Sequence, residues 1–174
     1  NPVKRGYVLK LSRPLPRYLR DEEIPRLFAE IDHKRDRAIF MLMLRCGLRV
    51  EEVAQLTLPA LDLPRSQVFV YQGKGRRGRV VYLGPDAERA LVDYLESRAA
   101  SRVNGVFLVD KGRCRGKSIS VRGIQKRMEH YARLCALRVS CHQLRHTMAT
   151  QLLNADAALV SIQDLLGHTR IRTT

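Results

Sequence analysis

The chain has 174 residues, of which 45% are hydrophobic, and this length suits one domain with a sizeable buried core. Its 32 lysines and arginines outnumber its 17 aspartates and glutamates, so the formal net charge is +15. The apolar fraction excludes an intrinsically disordered chain, and the basic excess is typical of proteins that bind a polyanion, most often nucleic acid. The sequence shows neither a membrane-spanning apolar run nor a signal-peptide pattern, so we expect a cytoplasmic protein without a membrane partner.

Helix signals dominate the chain after a leader, residues 1–16, whose prolines, glycine and basic residues predict an extended interdomain linker. Apolar spacing and start and stop signals predict a series of helices beyond it. These predicted helices cover residues 21–31, 35–46, 50–56, 85–98, 120–137, 142–153 and 158–166. Gly47 and Gly167 follow two of them, where a glycine commonly caps a helix.

The segment GKGRRG, residues 73–78, has the G-x-G-x-x-G spacing of a dinucleotide-binding loop. That motif requires a strand before it and a helix after it, because the pyrophosphate lies on the helix N-terminus. Here residues 67–72 and 79–83 both predict strands, so we favour a β-hairpin over a nucleotide loop. The hairpin would present Lys74 near its tip, beside Arg76, Arg77 and Arg79.

Little other β-structure is predicted. Residues 105–109 suit either a short strand or an extended run, and residues 111–118 form a basic loop. We therefore predict an α+β fold, mostly α-helical, with one small antiparallel β-sheet that carries the lysine hairpin.

The four cysteines form neither a C-x-x-C pair nor a regular disulfide framework. Cys46, Cys135 and Cys141 lie in apolar surroundings, whereas Cys114 lies in the basic loop. We expect the first three to be reduced, buried thiols, as in cytosolic proteins.

The segment CHQLRHTMAT, residues 141–150, contains the densest group of polar side chains. On a helix, His142, Arg145 and His146 share one arc. The two histidines have the spacing of a helical zinc site, but Gln143 replaces the usual glutamate and no third ligand is evident. A helix with solvated polar groups is a further alternative.

Two more polar groups stand at predicted helix ends. Arg49 follows a glycine turn, and Glu52 lies one helical turn further on, where its carboxylate can hold the guanidinium ready for a phosphate. The alternative is an ordinary ion pair at a helix junction. His168 comes directly after Gly167, where it can donate to an oxyanion or serve only as a cap.

Together, the motifs GLRVEE, HQLRHTMAT and LLGHTRIRTT, with Lys74 on a hairpin between the first two, occur in the order seen in tyrosine recombinases. The chain resembles the catalytic domain of the phage-integrase and Xer-type family over residues 17–174, and the leader resembles the family's interdomain linker. The resemblance implies the fold of that catalytic domain.

The resemblance also implies a reaction. A tyrosine hydroxyl attacks a DNA phosphodiester, forming a 3′-phosphotyrosyl link that a 5′-hydroxyl later reverses, without ATP, metal or other cofactor. Carried over by motif, Arg49 and Arg145 resemble the phosphate clamp, Lys74 the general acid, and His142 the proton-transfer helper. His168 resembles a donor to a nonbridging oxygen, Glu52 a residue that orients its neighbours, and His146 a structural histidine.

The nucleophile departs from the family pattern. The family's tyrosine lies shortly after the histidine that matches His168, at a position we expect beyond Thr174. The tyrosines of this sequence all precede the H-x-x-R motif: Tyr7, Tyr18, Tyr71, Tyr82, Tyr94 and Tyr131. We therefore expect residues 17–174 to form a catalytic domain without its tyrosine-bearing C-terminal segment, which binds DNA but does not cleave it.

The implied function is site-specific recombination of double-stranded DNA, which covers integration, excision and resolution. The implied full-length parent acts as a homotetramer on DNA, associated with the nucleoid, whereas we expect this chain alone to be monomeric. The residues expected to contact DNA are Arg76, Arg77, Arg79, Lys111, Arg113, Arg115 and Lys117. The alternatives are an inactive DNA-binding regulator derived from a recombinase, and a basic protein of RNA metabolism, which leaves the motifs unexplained.

Overall fold

The computed structural model describes residues 18–71 and 78–154, and within them it confirms the predicted fold class. The α-helices, numbered α1 to α6, span Glu23–Glu30, Lys34–Cys46, Val50–Ala54, Pro85–Ser97, Val121–Leu134 and Cys141–Asn154. The strands, numbered β1 to β3, span Leu61–Asp62, Gln67–Val70 and Arg79–Tyr82. The predicted hairpin tip and the predicted helix over 158–166 lie outside the described residues.

Helix α2 forms the centre of the core. It is buried on almost every side and packs against α4 and α6, as expected of a helix that is apolar over most of its surface. Gly47 ends it in the left-handed conformation, with φ at 63°, as the predicted C-cap requires. The backbone N–H of Gly47 donates to the carbonyl of Leu42. This tight turn leads directly into α3, and so sets where Arg49 lies.

The three strands form one antiparallel sheet in the order β1-β2-β3. Leu61 pairs with Val68, and Val70 pairs with Arg79. Val68, Val70 and Val81 are buried on the inner face of the sheet. Sequence patterning predicted β2 and β3 but missed β1, because two residues are too few to show alternation.

Helix α5 ends at Leu134, three residues before the predicted end at 137. Ala136 adopts a left-handed backbone with φ at 53°, which stops the helix. The N–H of Leu137 then turns back to the carbonyl of Ala132, at 2.9 Å. The predicted boundary was wrong because this turn uses an alanine where a glycine is the usual signal.

Residues 105–109 form neither a strand nor a fully extended run, because the chain bends at Val106 and Phe107. Single β-bridges join Gly105 to Thr57 and Leu108 to Ser118, but no continuous ladder forms. The run nevertheless contributes Val106 and Phe107 to the buried core.

The cysteines lie where their surroundings predict. Cys46, Cys135 and Cys141 are buried and Cys114 is exposed, and all four are free. Burial raises the pKa of Cys46 to about 11 and that of Cys141 to about 12, so both remain protonated thiols at neutral pH. No helix within residues 18–71 and 78–154 is long and apolar enough to cross a membrane.

A buried ionic network joins α2 to α5. Asp36 is fully buried; its Oδ1 accepts from Arg35 Nε at 2.9 Å and its Oδ2 from Arg127 Nε at 2.6 Å. The hydroxyl of Tyr131 also donates to Asp36 Oδ2, at 3.0 Å. Arg35 extends the network to the basic loop, because its Nη1 donates to Asp110 Oδ2 at 2.6 Å.

Replacing Asp36 with alanine should destabilise the protein by about 3 kcal/mol, because it leaves two guanidinium groups near the core without their shared carboxylate. Urea unfolding followed by circular dichroism measures the change. Glu129→Ala is the matched control, since the Arg122–Glu129 pair is largely exposed and should contribute less than about 1 kcal/mol. Equal losses in the two variants would contradict a structural role for the network.

Candidate active site

The start of α3 brings Arg49 and Glu52 together, as their spacing predicts. Arg49 is the N-cap residue, with an extended backbone, and its N–H donates to Glu52 Oε2 at 2.8 Å. Its side-chain Nη1 donates to Glu52 Oε1 at 3.2 Å. The carboxylate thus binds the backbone and the guanidinium of one residue, which limits the directions that the Arg49 side chain can take.

Glu52 also binds Arg79, a contact that the sequence did not predict. Arg79 Nη1 and Nη2 donate to Glu52 Oε1 and Oε2 at 2.7 and 2.9 Å, so the ion pair is bidentate. Burial by itself raises the pKa of Glu52, but hydrogen bonds from Arg79 and from the Arg49 backbone, with both positive charges, bring it below its ordinary value. Glu52 is therefore ionised at neutral pH.

Arg145 enters the same site from α6. It is only 5% exposed, and its Nη1 donates to the carbonyl of Gly47 in the turn between α2 and α3. Burial lowers its pKa to about 10, and the positive charge of Arg49 contributes to the shift. Arg145 remains protonated at neutral pH and is coupled electrostatically to Arg49, Arg79 and Glu52.

His142 and His146 lie one turn apart on α6, with their Nε2 atoms 2.7 Å from each other. Gln143 accepts from the backbone N–H of Ser140 at 2.7 Å, as in a helix capping box. Within residues 18–71 and 78–154, no group of three or more histidine, cysteine or acidic side chains could hold a metal ion.

A cavity of about 580 Å³ opens between α3, α5 and α6, and it joins the motif residues. Arg49, His142 and Arg145 line it, together with the apolar side chains of Leu48 and Met128. Its remaining lining residues are Val50, Glu51, Arg122, Gln125, Glu129, Val139, Ser140 and Cys141. The guanidinium groups of Arg49 and Arg145 and the imidazole of His142, brought to one cavity, can together bind a phosphate.

Some predicted site residues lie outside the described part of the chain: Lys74, Arg76, Arg77 and His168. The flanks of the lysine segment are described, and strands β2 and β3 stand on either side of it. A strand, not a helix, therefore follows the glycine-rich segment, as predicted for a hairpin and not for a nucleotide-binding loop.

The basic loop over 111–118 lies apart from the arginine cavity. Its two glycines, Gly112 and Gly116, both adopt φ of 79°, and the N–H of Val109 donates to the carbonyl of Lys117. The loop's predicted DNA-contacting side chains are all exposed: Lys111, Arg113, Arg115 and Lys117. None of these four lines the cavity beside Arg49; two of them line clefts near His33 and Asp110.

Arg79 is one of the arginines predicted to contact DNA, and in the structure its guanidinium lies against Glu52. The signal that could have indicated this is the alternation of β3, which places Arg79 on the same inner face as Val81. That signal is weak, because it depends on knowing which helix the inner face meets.

Comparison with known proteins identifies relatives of this chain. Residues 17–174 match the profile of the phage integrase family. Tyrosine recombinase XerC of Pelotomaculum thermopropionicum is 37% identical over 189 aligned positions, which cover 100% of this chain and 60% of that protein. The chain thus spans about three-fifths of the length of this relative.

Solved structures agree with the sequence comparison. The crystal structure of XerA recombinase superposes with a TM-score of 0.83 at 27% identity, covering 91% of this chain and 58% of that one. XerH site-specific recombinase bound to difH substrate, a pre-cleavage complex, superposes with a TM-score of 0.75 at 25% identity, covering 90% and 48%. Since the family profile and a close relative both extend over nearly the whole chain, this chain belongs to the phage integrase family.

Proposed function

We propose that this chain carries the catalytic domain of a site-specific DNA recombinase, which cleaves and rejoins strands through a 3′-phosphotyrosyl intermediate. The observation that carries the proposal is the meeting of Arg49 and Arg145 at one cavity, with His142 beside them. Three guanidinium groups surround one carboxylate, Glu52, so the cluster holds an excess of two positive charges. A DNA phosphate supplies the complementary negative charge.

Arg49 and Arg145 would act on the phosphorane that forms when a nucleophile attacks a phosphodiester. Charge develops on its nonbridging oxygens, and preorganised cationic donors stabilise that charge most when they are already partly desolvated. Arg145 is buried and tied to Gly47, and Arg49 is held by Glu52, so both donors are oriented before DNA arrives.

Proton transfer would fall to other residues. We assign Lys74 as the general acid for the 5′-oxygen leaving group, because β3, the strand that follows the lysine segment, contacts Glu52 through Arg79. We assign His142 to proton transfer at the nucleophile and His168 to a nonbridging oxygen. His146, which contacts His142 within α6, would have a structural role.

Double-stranded DNA is the proposed partner. The net charge of +15 and the exposed basic loop favour a polyanion, and XerH, a structural neighbour, is bound to its difH substrate. We further propose a homotetramer on DNA for the complete gene product, acting in the cytoplasm on the nucleoid. Residues 17–174 would be its catalytic domain and residues 1–16 a linker, a boundary supported by the start of the family match at residue 17.

The test is covalent trapping. The complete gene product, expressed from its natural start to its natural stop codon, is incubated with a library of random duplexes, each with one nick. SDS-resistant protein–DNA adducts are then captured and their DNA is sequenced. We expect adducts with a shared sequence, and a phosphotyrosine at the linked position by mass spectrometry.

Residues 1–174 alone are the matched control. They should bind duplex DNA weakly, with little sequence preference and with an affinity that falls steeply as salt rises, but should form no adduct. If the complete gene product binds DNA yet forms no adduct with any library member, the recombinase proposal fails and a DNA-binding regulator takes its place.

A further inference from the structure

Arg79 differs from the other arginines of the site in how it is bonded. It is 12% exposed, whereas Arg49 is 34% exposed and lines the cavity. Both of its terminal nitrogens bind Glu52, and its buried Nε has no hydrogen-bond partner among the described residues. Arg79 is therefore directed at a carboxylate and not at the cavity, where a DNA phosphate would bind.

Glu52 is shared unequally between its two arginines. Its bonds to Arg79, at 2.7 and 2.9 Å, are shorter than its single side-chain bond to Arg49, at 3.2 Å. A carboxylate that lacked Arg79 would keep its hydrogen bonds to Arg49, and the Arg49 guanidinium could rotate to form a bidentate pair with it. Such a pair would cancel the positive charge that a phosphate needs from Arg49.

We propose that Arg79 is a positioning residue: by serving as the principal ion-pair partner of Glu52, it keeps the guanidinium of Arg49 available to a DNA phosphate. This inference rests on the proposed function, since it assigns Arg79 a part in that reaction without contact with the DNA. The Arg79–Glu52 ion pair also joins β3, the strand that follows the lysine segment, to α3, the helix capped by Arg49.

The test is a double-mutant cycle on the complete gene product, read as the rate of covalent adduct formation at saturating DNA. Arg79→Gln should reduce the rate about 100-fold, as loss of one oriented cationic donor does, with the Kd for DNA changed less than about threefold. Adding Glu52→Gln should raise the rate of the Arg79→Gln variant at least about tenfold, because the neutral amide no longer draws Arg49 away. The rate should stay below that of wild type, because the carboxylate also orients Arg49. Arg65→Gln, which breaks an exposed Arg–Asp pair near the sheet, should change neither quantity.

The pH profile separates this role from a merely structural one. Without Arg79, the pKa of Glu52 should rise, so adduct formation by Arg79→Gln should recover as the pH falls from 7 toward 5. Among residues 18–71 and 78–154, the charged groups that face Glu52 are Arg49, Arg79 and Arg145. The double variant, which lacks the carboxylate, should show no such recovery relative to wild type.

Two results would overturn the inference. One is a double variant as slow as Arg79→Gln; the other is a rise in Kd that matches the loss of rate, as a direct DNA contact predicts. If Arg79→Gln does not fold, Glu52→Gln and the double variant are compared; their rates should agree within about threefold once Arg79 has no carboxylate to neutralise.

Adduct formation by the wild-type protein reports on the proposed function separately. If wild type forms none, the carboxyl resonance of Glu52 is titrated by carbon NMR in wild type, Arg79→Gln and Arg65→Gln. An upward shift of its pKa confined to Arg79→Gln is expected, and the absence of that shift would reject the inference.

Discussion

Arg145→Ala will reduce the rate of covalent adduct formation by about 100- to 1000-fold in the complete gene product, the range found when one preorganised donor to a developing oxyanion is removed. Arg145 is buried, protonated at neutral pH and fixed to the carbonyl of Gly47, so no solvent-exposed side chain can replace it. The measurement is single-turnover trapping on a duplex selected from the library, resolved on denaturing gels.

Arg145→Lys separates charge from geometry. A lysine retains the positive charge but lacks the planar fork, so it should recover only part of the lost rate. DNA affinity should change little in either variant, because many other basic groups contribute to it. An adduct rate within about threefold of wild type for a folded Arg145→Ala protein would remove Arg145 from the proposed phosphate clamp.

Lys74→Ala should also reduce adduct formation at least about 100-fold, but for a different reason. If Lys74 protonates the 5′-oxygen as it leaves, its loss leaves a poor alkoxide leaving group. A duplex with sulfur in place of that bridging oxygen needs no proton, because a thiolate leaves readily. We therefore expect the sulfur substrate to restore the rate of Lys74→Ala to within about tenfold of wild type.

The same pair of substrates provides the control for that experiment. Arg145→Ala should remain slow on both, because the guanidinium acts on the phosphorane and not on the leaving group. A Lys74→Ala protein that is equally slow on oxygen and sulfur would show that this lysine positions DNA and does not donate the proton.

Several elements of the fold could be predicted because their signals are local. The apolar run of α2 and its glycine cap at Gly47 are visible in the sequence, as are the alternating residues of β2 and β3. The end of α5 was misplaced because Ala136 adopts a left-handed backbone without a glycine to indicate it. Strand β1 was missed because it exists only through its pairing with β2.

The contacts of the site also fall into those that the sequence predicts and those that it does not. Arg49 and Glu52 are one helical turn apart, so their contact follows from spacing alone, and resemblance to a family placed Arg145 beside them. The role of Arg79 could not be predicted, because a residue on a strand meets one on a helix only after the sheet has packed. For the same reason the sequence predicted only that Arg79, like Arg76 and Arg77, contacts DNA.

By itself, the sequence determined the fold class, the family and the residue types of the proposed phosphate site, because these depend on periodicity and on motifs a few residues long. Only the tertiary structure decided that Arg79 forms the bidentate ion pair with Glu52, while Arg49 and Arg145 meet at the cavity. Arg79 contacts Glu52, and Arg145 contacts Gly47, because α3, β3 and α6 approach one another from distant parts of the chain. Such contacts are set by packing, and no local pattern encodes them.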